Sequence, residues 1–264
     1  MADTVIHPTA IIEDGASLGT GVRVGPFCHI GSKAVLEDDV ILKSHVVIDG
    51  NTIIGERTNI APFASLGSAP QHLGYKGEDT KLIIGQDNNI REYVTMNPGT
   101  VSGRGQTVVG NGCLFMASTH VAHDCIVGNN VIMANNATLG GHVSVQDFVF
   151  MGGMSAVHQY CRVGIYAFVG AAALVTTDVI PYGSVIGNHA RLEGLNIVGM
   201  KRRNTPRAVI HKIRSAYRLL FAQEGTLQER IEDVSEMFSD SEEVSRIISF
   251  IKAESSRPLC TPKA

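Results

Sequence analysis

The sequence contains no tryptophan, and only 6% of its residues are aromatic and 18% charged. With a net charge of −3 it lacks the global basic field that draws a protein to nucleic acid, so any site for an anionic partner must be local. Its five cysteines (Cys28, Cys113, Cys125, Cys161 and Cys260) are odd in number, scattered, and free of CxxC spacing. That pattern argues against a disulfide framework and for a reducing compartment. The longest small-apolar run, Ala167 to Val175, is far short of the ~20 residues that cross a bilayer. The first residues show no basic segment followed by an apolar one, so no signal peptide is expected. These absences predict a cytoplasmic protein with no transmembrane segment and no nucleic-acid partner. With 264 residues, 44% of them hydrophobic, the chain can still bury a substantial core.

What is present is a repeat. Every sixth residue from Ile6 to Leu66 is aliphatic, through Ile12, Leu18, Val24, Ile30, Leu36, Leu42, Ile48, Ile54 and Ile60. The residue four places on is small or β-branched, as in Ala10, Ala16, Val22, Cys28 and Ala34. A period of six suits neither a helix nor a hairpin meander. It suits a triangular coil in which each edge is a short strand and a turn, three edges make a rung of about eighteen residues, and rungs stack at ~4.8 Å. Periodicity leaves the hand open, because parallel crossovers are normally right-handed.

The period lapses between Leu66 and Ile84, which predicts a loop near 68-83 that partly replaces one rung. A second, glycine-rich lapse at 102-108 shifts the register by one. The repeat then runs from Val109 to Val175 and fails near Pro181. Asn204-Thr205-Pro206 predicts a cap and first-turn proline for a helix reaching about Gln223. Thr226-Leu227-Gln228-Glu229 reads as a capping box, and a third helix is expected after Ser241. The expected domains are a solenoid over 1-190 and a helical domain over 191-264.

Residues eighteen apart should lie one above another. His123 then stacks with Gly141 and Gln159, Asp124 with His142 and Tyr160, and Ala122 with Gly140 and His158, with His120 close by. Such a cluster supports two chemistries. An imidazole can take a proton from a nucleophile while a glycine N–H stabilises the oxyanion of acyl transfer. Alternatively, three histidines can hold zinc. Gly140-Gly141 beside His123 favours acyl transfer, since metal binding gives no reason for close backbone approach there. The same columns place Gly153, Ala171 and His189 together.

The hexads resemble those of hexapeptide-repeat proteins, which implies a left-handed parallel β-helix with a C-terminal α-helical domain, an all-β solenoid plus α. The motifs Ala122-His123-Asp124-Cys125, Asn135-Asn136-Ala137-Thr138-Leu139, Gly141-His142-Val143, Ala156-Val157-His158-Gln159, Gly187-Asn188-His189-Ala190 and Lys201-Arg202-Arg203 resemble the acyltransferases that acylate UDP-N-acetylglucosamine at the start of lipid A biosynthesis. The resemblance spans nearly the whole chain. It implies a homotrimer with sites between subunits, a 3-hydroxyacyl donor carried by acyl carrier protein, a UDP-sugar acceptor, and neither metal nor other cofactor. By position it implies His123 as general base, Asp124 as its orienting neighbour and the Gly141 N–H as oxyanion donor. His120, His142, His158 and Gln159 would line the acceptor and pantetheine site, Asn196, Arg202 and Arg203 would hold uridine and phosphates, and Ala171 and His189 would measure the acyl chain.

Two further readings follow. Arg207, His211, Arg214 and Arg218 form one basic stripe on the helix after Pro206, opposite Val209, Ile213, Ala216 and Leu220, and make a dock for the acidic carrier protein. The loop departs from the family pattern, which reads Gln-Asp-Leu-Lys-Tyr where this chain has Gln71-His72-Leu73-Gly74-Tyr75. Val198 likewise stands where an acidic residue is common. Both leave open a 3-amine acceptor on a UDP 2,3-diamino sugar, and a coenzyme A dependent sugar acetyltransferase shares the same repeat.

Overall fold

A computed structural model describes residues 3–262. The chain forms a left-handed parallel β-helix followed by four helices. Three sheets of eleven, nine and eight strands make the three edges of the coil, here the first, second and third edge in chain order. Most strands are two residues long, the first residue facing out and the second facing in. The inward residue is the aliphatic of each hexad, and Ile30, Ile48, Ile60 and Leu66 are all completely buried. The small residue four places on is buried too, as at Ala34, Val40 and Val46. A larger side chain there would collide with the interior column, which is why the hexad alternates large and small.

Corners impose a second rule. The chain turns at most corners through a left-handed residue, such as Phe27, Asp39, His45, Arg57 or Asp124. A residue with a Cβ pays roughly 1 kcal/mol or more for that conformation. Backbone bonds to the rung below offset it, His45 N–H donating to the Pro26 carbonyl at 2.9 Å and Arg57 N–H to Asp38 at 2.9 Å.

The two lapses are insertions. Ile54 pairs with Ile84 and Ile84 with Val109, where regular rungs pair residues eighteen apart, as Val109 does with Val127. The first insertion therefore adds twelve residues to a complete rung rather than replacing part of one. The second adds seven. Both leave the coil at the corner between the second and third edges, after Leu66 and after Met96.

At the top the spacing changes. Val163 bridges Val179 and Phe168 pairs with Ser184, sixteen residues on rather than eighteen. The corner after Val175 is two residues shorter, its turn closed by Asp178, which accepts from Arg162 N–H and Nε at 2.7 Å each. Ala171 consequently stacks towards Gly187, and the expected column through His189 does not form. His189 lies instead in the turn of the 183–195 hairpin.

The four helices are α1 (Ile197–Arg202), α2 (Arg207–Leu220), α3 (Leu227–Met237) and α4 (Glu242–Lys252). They share a second core of Ile210, Ile213, Ala216, Ile231, Val234 and Ile247. Pro206 is the N-cap of α2 and makes no side-chain cap bond, so the expected cap from Asn204-Thr205 is absent. The capping box at Thr226 and the Ser241 cap form as the sequence indicates. After α4 the chain returns to the coil, where Leu259 bridges Asp178. All five cysteines are free and buried. Burial pushes the Cys113 thiol up to about 11 and that of Cys125 to about 12, so neither is a thiolate nucleophile at neutral pH. No helix among the described residues is long and apolar enough to cross a membrane.

Candidate active site

His123 and Asp124 occupy the corner between the second and third edges, on the rung above the second insertion. His123 Nδ1 lies 2.8 Å from Asp124 Oδ2. Since the carboxylate accepts, Nδ1 carries the proton and Nε2 is left as the basic nitrogen. Directly above, a Cβ built on Gly141 would come within 2.7 Å of His123 Nε2 and 2.6 Å of Cε1. Glycine is therefore required at 141 by the imidazole beneath it. Among the described residues no backbone acceptor takes the Gly141 N–H, while its neighbours Gly140 and His142 donate to Val157 and His123.

Asp124 is fully buried. Its carboxylate is held by the second insertion: Oδ1 accepts from Arg104 N–H at 2.6 Å and Thr100 N–H at 3.1 Å, and Oδ2 accepts from Thr100 Oγ1 at 2.7 Å. The Arg104 guanidinium also donates to the Asp124 carbonyl. A side chain on Gly103 would fall inside the carboxylate, so the glycine richness of this segment is what lets the loop close over Asp124. Burial acts to raise the Asp124 carboxyl, but the hydrogen bonds from Thr100, His123 and Arg104 outweigh it and hold it below the ordinary range.

The other histidines gather round this pair. The His72 and His142 rings lie edge-on to His123 with centroids 5.0 and 5.1 Å away, and His142 stacks on Tyr160 at 4.5 Å. His120 Nδ1 pairs with Thr95 Oγ1 at 2.7 Å. Burial, and then His123, lower the His120 pKa; burial leads in lowering that of His142, against the opposing pull of Asp124. Both imidazoles are thus uncharged at neutral pH. His123, Asp124 and His142 offer ligand atoms within 4.8 Å of one another, close enough to test against a metal. Each Asp124 oxygen already accepts at least two hydrogen bonds, so the donor set fits an oriented imidazole rather than a coordination sphere.

A second feature lies on another corner, between the third and first edges. A cleft of ≈ 630 Å³ is lined by Phe150, Tyr166, Phe168, Asn196, Arg202 and Arg203. The Arg203 guanidinium rests over the Phe148 ring, 4.2 Å from its centroid. Asn196 is the N-cap of α1, its Oδ1 accepting from Gly199 N–H at 2.8 Å and its Nδ2 donating to the Tyr166 carbonyl at 2.9 Å.

Comparison with known proteins decides the family. Residues 178–260 match the family described as UDP N-acetylglucosamine O-acyltransferase, domain 2, and residues 106–141 match the bacterial transferase hexapeptide repeat. The chain is 56% identical to the acyl-carrier-protein–UDP-N-acetylglucosamine O-acyltransferase of Caulobacter vibrioides, covering 98% of both chains. It is 50% identical to the protein of that name from Rhizobium johnstonii, over 97% of this chain and 94% of that one. The chain belongs to the UDP-N-acetylglucosamine O-acyltransferase family. The crystal structure of the acyltransferase from Moraxella catarrhalis superposes with a TM-score of 0.93 at 40% identity, over 96% of this chain and 98% of that one.

In this acyltransferase the single chain brings together His72, His120, His123, Asp124, Gly141 and His142. It does not bring Asn196, Arg202 and Arg203 to them, because those sit on a different corner. His158 and Gln159 are exposed one rung above Gly140 and Gly141, and Ala171 and His189 are exposed near the top. Arg207, Arg214 and Arg218 are exposed on α2, and among the described residues none of them forms an ion pair with a carboxylate. The packed side of α2 is Ile210, Ile213, Ala216 and Leu220, with Val209 only half-buried.

The loop departures at 72 and 74 are coupled. His72 Nδ1 accepts from Gly74 N–H at 3.2 Å, and a Cβ on Gly74 would approach the His72 ring to 2.9 Å. Residues missed in the sequence are Thr100 and Arg104, which hold Asp124, and Thr95, which holds His120. The glycines at 99 and 103 were the available signal for the first two; nothing marked Thr95.

Proposed function

We propose that this acyltransferase moves a 3-hydroxyacyl chain from acyl carrier protein to the 3-hydroxyl of UDP-N-acetylglucosamine, the first step of lipid A biosynthesis, with His123 as general base. The observation that carries the reading is the His123–Asp124 pair with its basic Nε2 set against Gly141. His123 Nε2 takes the proton as the sugar oxygen bonds to the thioester carbonyl carbon. The Gly141 N–H receives the developing oxyanion, and collapse expels the pantetheine thiolate, which recovers the proton from His123. Asp124 stays ionised throughout, orienting the ring and stabilising the imidazolium. No step calls for a metal or other cofactor, and the pantetheine thioester is a co-substrate.

His72, His120, His142, His158 and Gln159 line the acceptor and pantetheine side. The cleft with Arg202 and Arg203 suits a uridine diphosphate, its aromatic walls facing the base and its guanidinium groups the phosphates. Asn196 acts there by fixing the start of α1. Because the cleft and His123 occupy different corners, a complete site needs two chains, which supports a homotrimer with sites between subunits. The stripe of Arg207, Arg214 and Arg218, which makes no ion pair with a carboxylate among the described residues, docks the acidic carrier protein, and Ala171 and His189, though not in one column, limit acyl length. The chain acts in the cytoplasm.

The O-acyl product in the relatives' names does not favour the amide or coenzyme A alternatives. Mass measurement of the product from 3-hydroxyacyl carrier thioesters and UDP-N-acetylglucosamine tests the reading: a base-labile ester is expected, and failure to form it while acetyl coenzyme A is consumed overturns it. Reversing Arg207, Arg214 and Arg218 to Glu should raise the carrier-protein KM about tenfold or more.

A further inference from the structure

The segment after α4 reaches back ninety-nine positions to the active-site rungs. Asp178 N–H donates to the Pro258 carbonyl and Cys260 N–H to the Asp178 carbonyl, both at 2.8 Å. Leu192 N–H donates to Thr261 at 3.2 Å, and the Cys260 thiol donates to Ala190 at 3.4 Å. This anchored strand delivers the half-buried Arg257 to the rung above Gly141. Its Nε donates to the Gln159 carbonyl at 3.0 Å, and its Nη2 lies 2.9 Å from His158 Nδ1.

The two contacts decide a tautomer. His158 Nδ1 is also 3.2 Å from the Gln159 carbonyl, so an isolated turn would place the ring proton on Nδ1, donating to that carbonyl, and leave Nε2 as an acceptor. A guanidinium has donors only. With its fork engaging both acceptors, Nδ1 must present its lone pair, and the proton moves to Nε2. We propose that Arg257 is a positioning residue that makes His158 a hydrogen-bond donor through Nε2–H towards the substrate. A donor is what that place needs: His158 stands one rung above Gly140 in the column beside Gly141, where the acyl-transfer reading, on which this proposal rests, develops negative charge on oxygen. A base there would compete with His123 for the nucleophile's proton.

Two measurements test it. Ring nitrogen-15 shifts of histidine-labelled full-length protein, free of substrate and assigned with His158→Gln, should show the Nε2–H form in the native protein and the Nδ1–H form in Arg257→Gln. Native protein with the proton on Nδ1 overturns the proposal, whatever the activity. In acyl-transfer assays, Arg257→Gln should lower kcat/KM about tenfold. In the His158→Gln background, where the amide NH2 supplies a fixed donor, the same change should cost less than threefold. Equal losses in both backgrounds would make Arg257 only an anchor for the tail and overturn the idea. The correct tautomer in a protein that does not acylate the sugar would instead count against the acyl-transfer reading.

Discussion

The two insertions leave the coil at the same corner, one rung apart and just below His123, yet they fold in opposite senses. The first stands out in solvent, with Leu73 fully exposed at its tip and His72 and Gly74 exposed beside it. The second begins inward: Asn97 is 5% and Thr100 2% exposed, and although Val101 to Arg104 reach solvent, the Thr100 and Arg104 N–H groups both turn to one carboxylate. A buried charge needs several fixed donors, so the inner insertion cannot vary without cost to both folding and chemistry. The outer one makes few contacts with the coil, such as Lys33 Nζ to Asp79 Oδ1 at 2.9 Å, and its side chains can change at little cost to stability. That contrast accounts for the departures at His72 and Gly74, while the one at Val198 lies in α1.

The contrast can be broken at its strongest point by His123→Ala, which should leave the coil folded and lower kcat about 10³-fold, measured with saturating substrates. Gly103→Ala comes next. Its methyl group displaces the Asp124 carboxylate, and a destabilisation of about 1–3 kcal/mol in denaturant melts should accompany a kcat loss of about a hundredfold. A result with full activity would show that the inner loop does not constrain Asp124.

Thr100→Val is milder: it removes one donor and should cost about 1–3 kcal/mol at pH 7, with Thr100→Ser restoring most of it. The sign follows from the depressed carboxyl of Asp124. Its contribution is present above the unfolded value of ~3.9 and lost as pH falls through the lower folded value, so the deficit of Thr100→Val should shrink on acidification. On the outer loop, His72→Ala should change stability by less than about 0.5 kcal/mol while raising the acceptor KM several-fold. An equal loss of stability there would erase the distinction between the two loops.

Much of this was legible in the hexads. The inward column, the buried small residues and the stacking of His123 beneath Gly141 all follow from a spacing of eighteen, because a strictly periodic coil turns sequence distance into spatial distance. The reading failed where the period did. His189 was carried past the shortened corner at Asp178, where two missing residues break the column. Thr100 and Arg104 were unreadable as ligands of Asp124 because a loop's path, unlike a rung's, has no period to extrapolate. Arg257 had no signal, since its contacts depend on where the tail returns.

The sequence by itself determined the coil, the corner on which the histidines gather and three of the four helices that follow, α1 excepted, since these rest on local periodicity, amphipathic patterning and, for α3 and α4, capping. Only the tertiary structure decided the electrostatic state of the site: which groups hold Asp124 ionised, which nitrogen of His123 is basic, and which corner carries Arg202 and Arg203. Those depend on donors brought from distant segments, and a hydrogen bond is set by position in space rather than by separation along the chain.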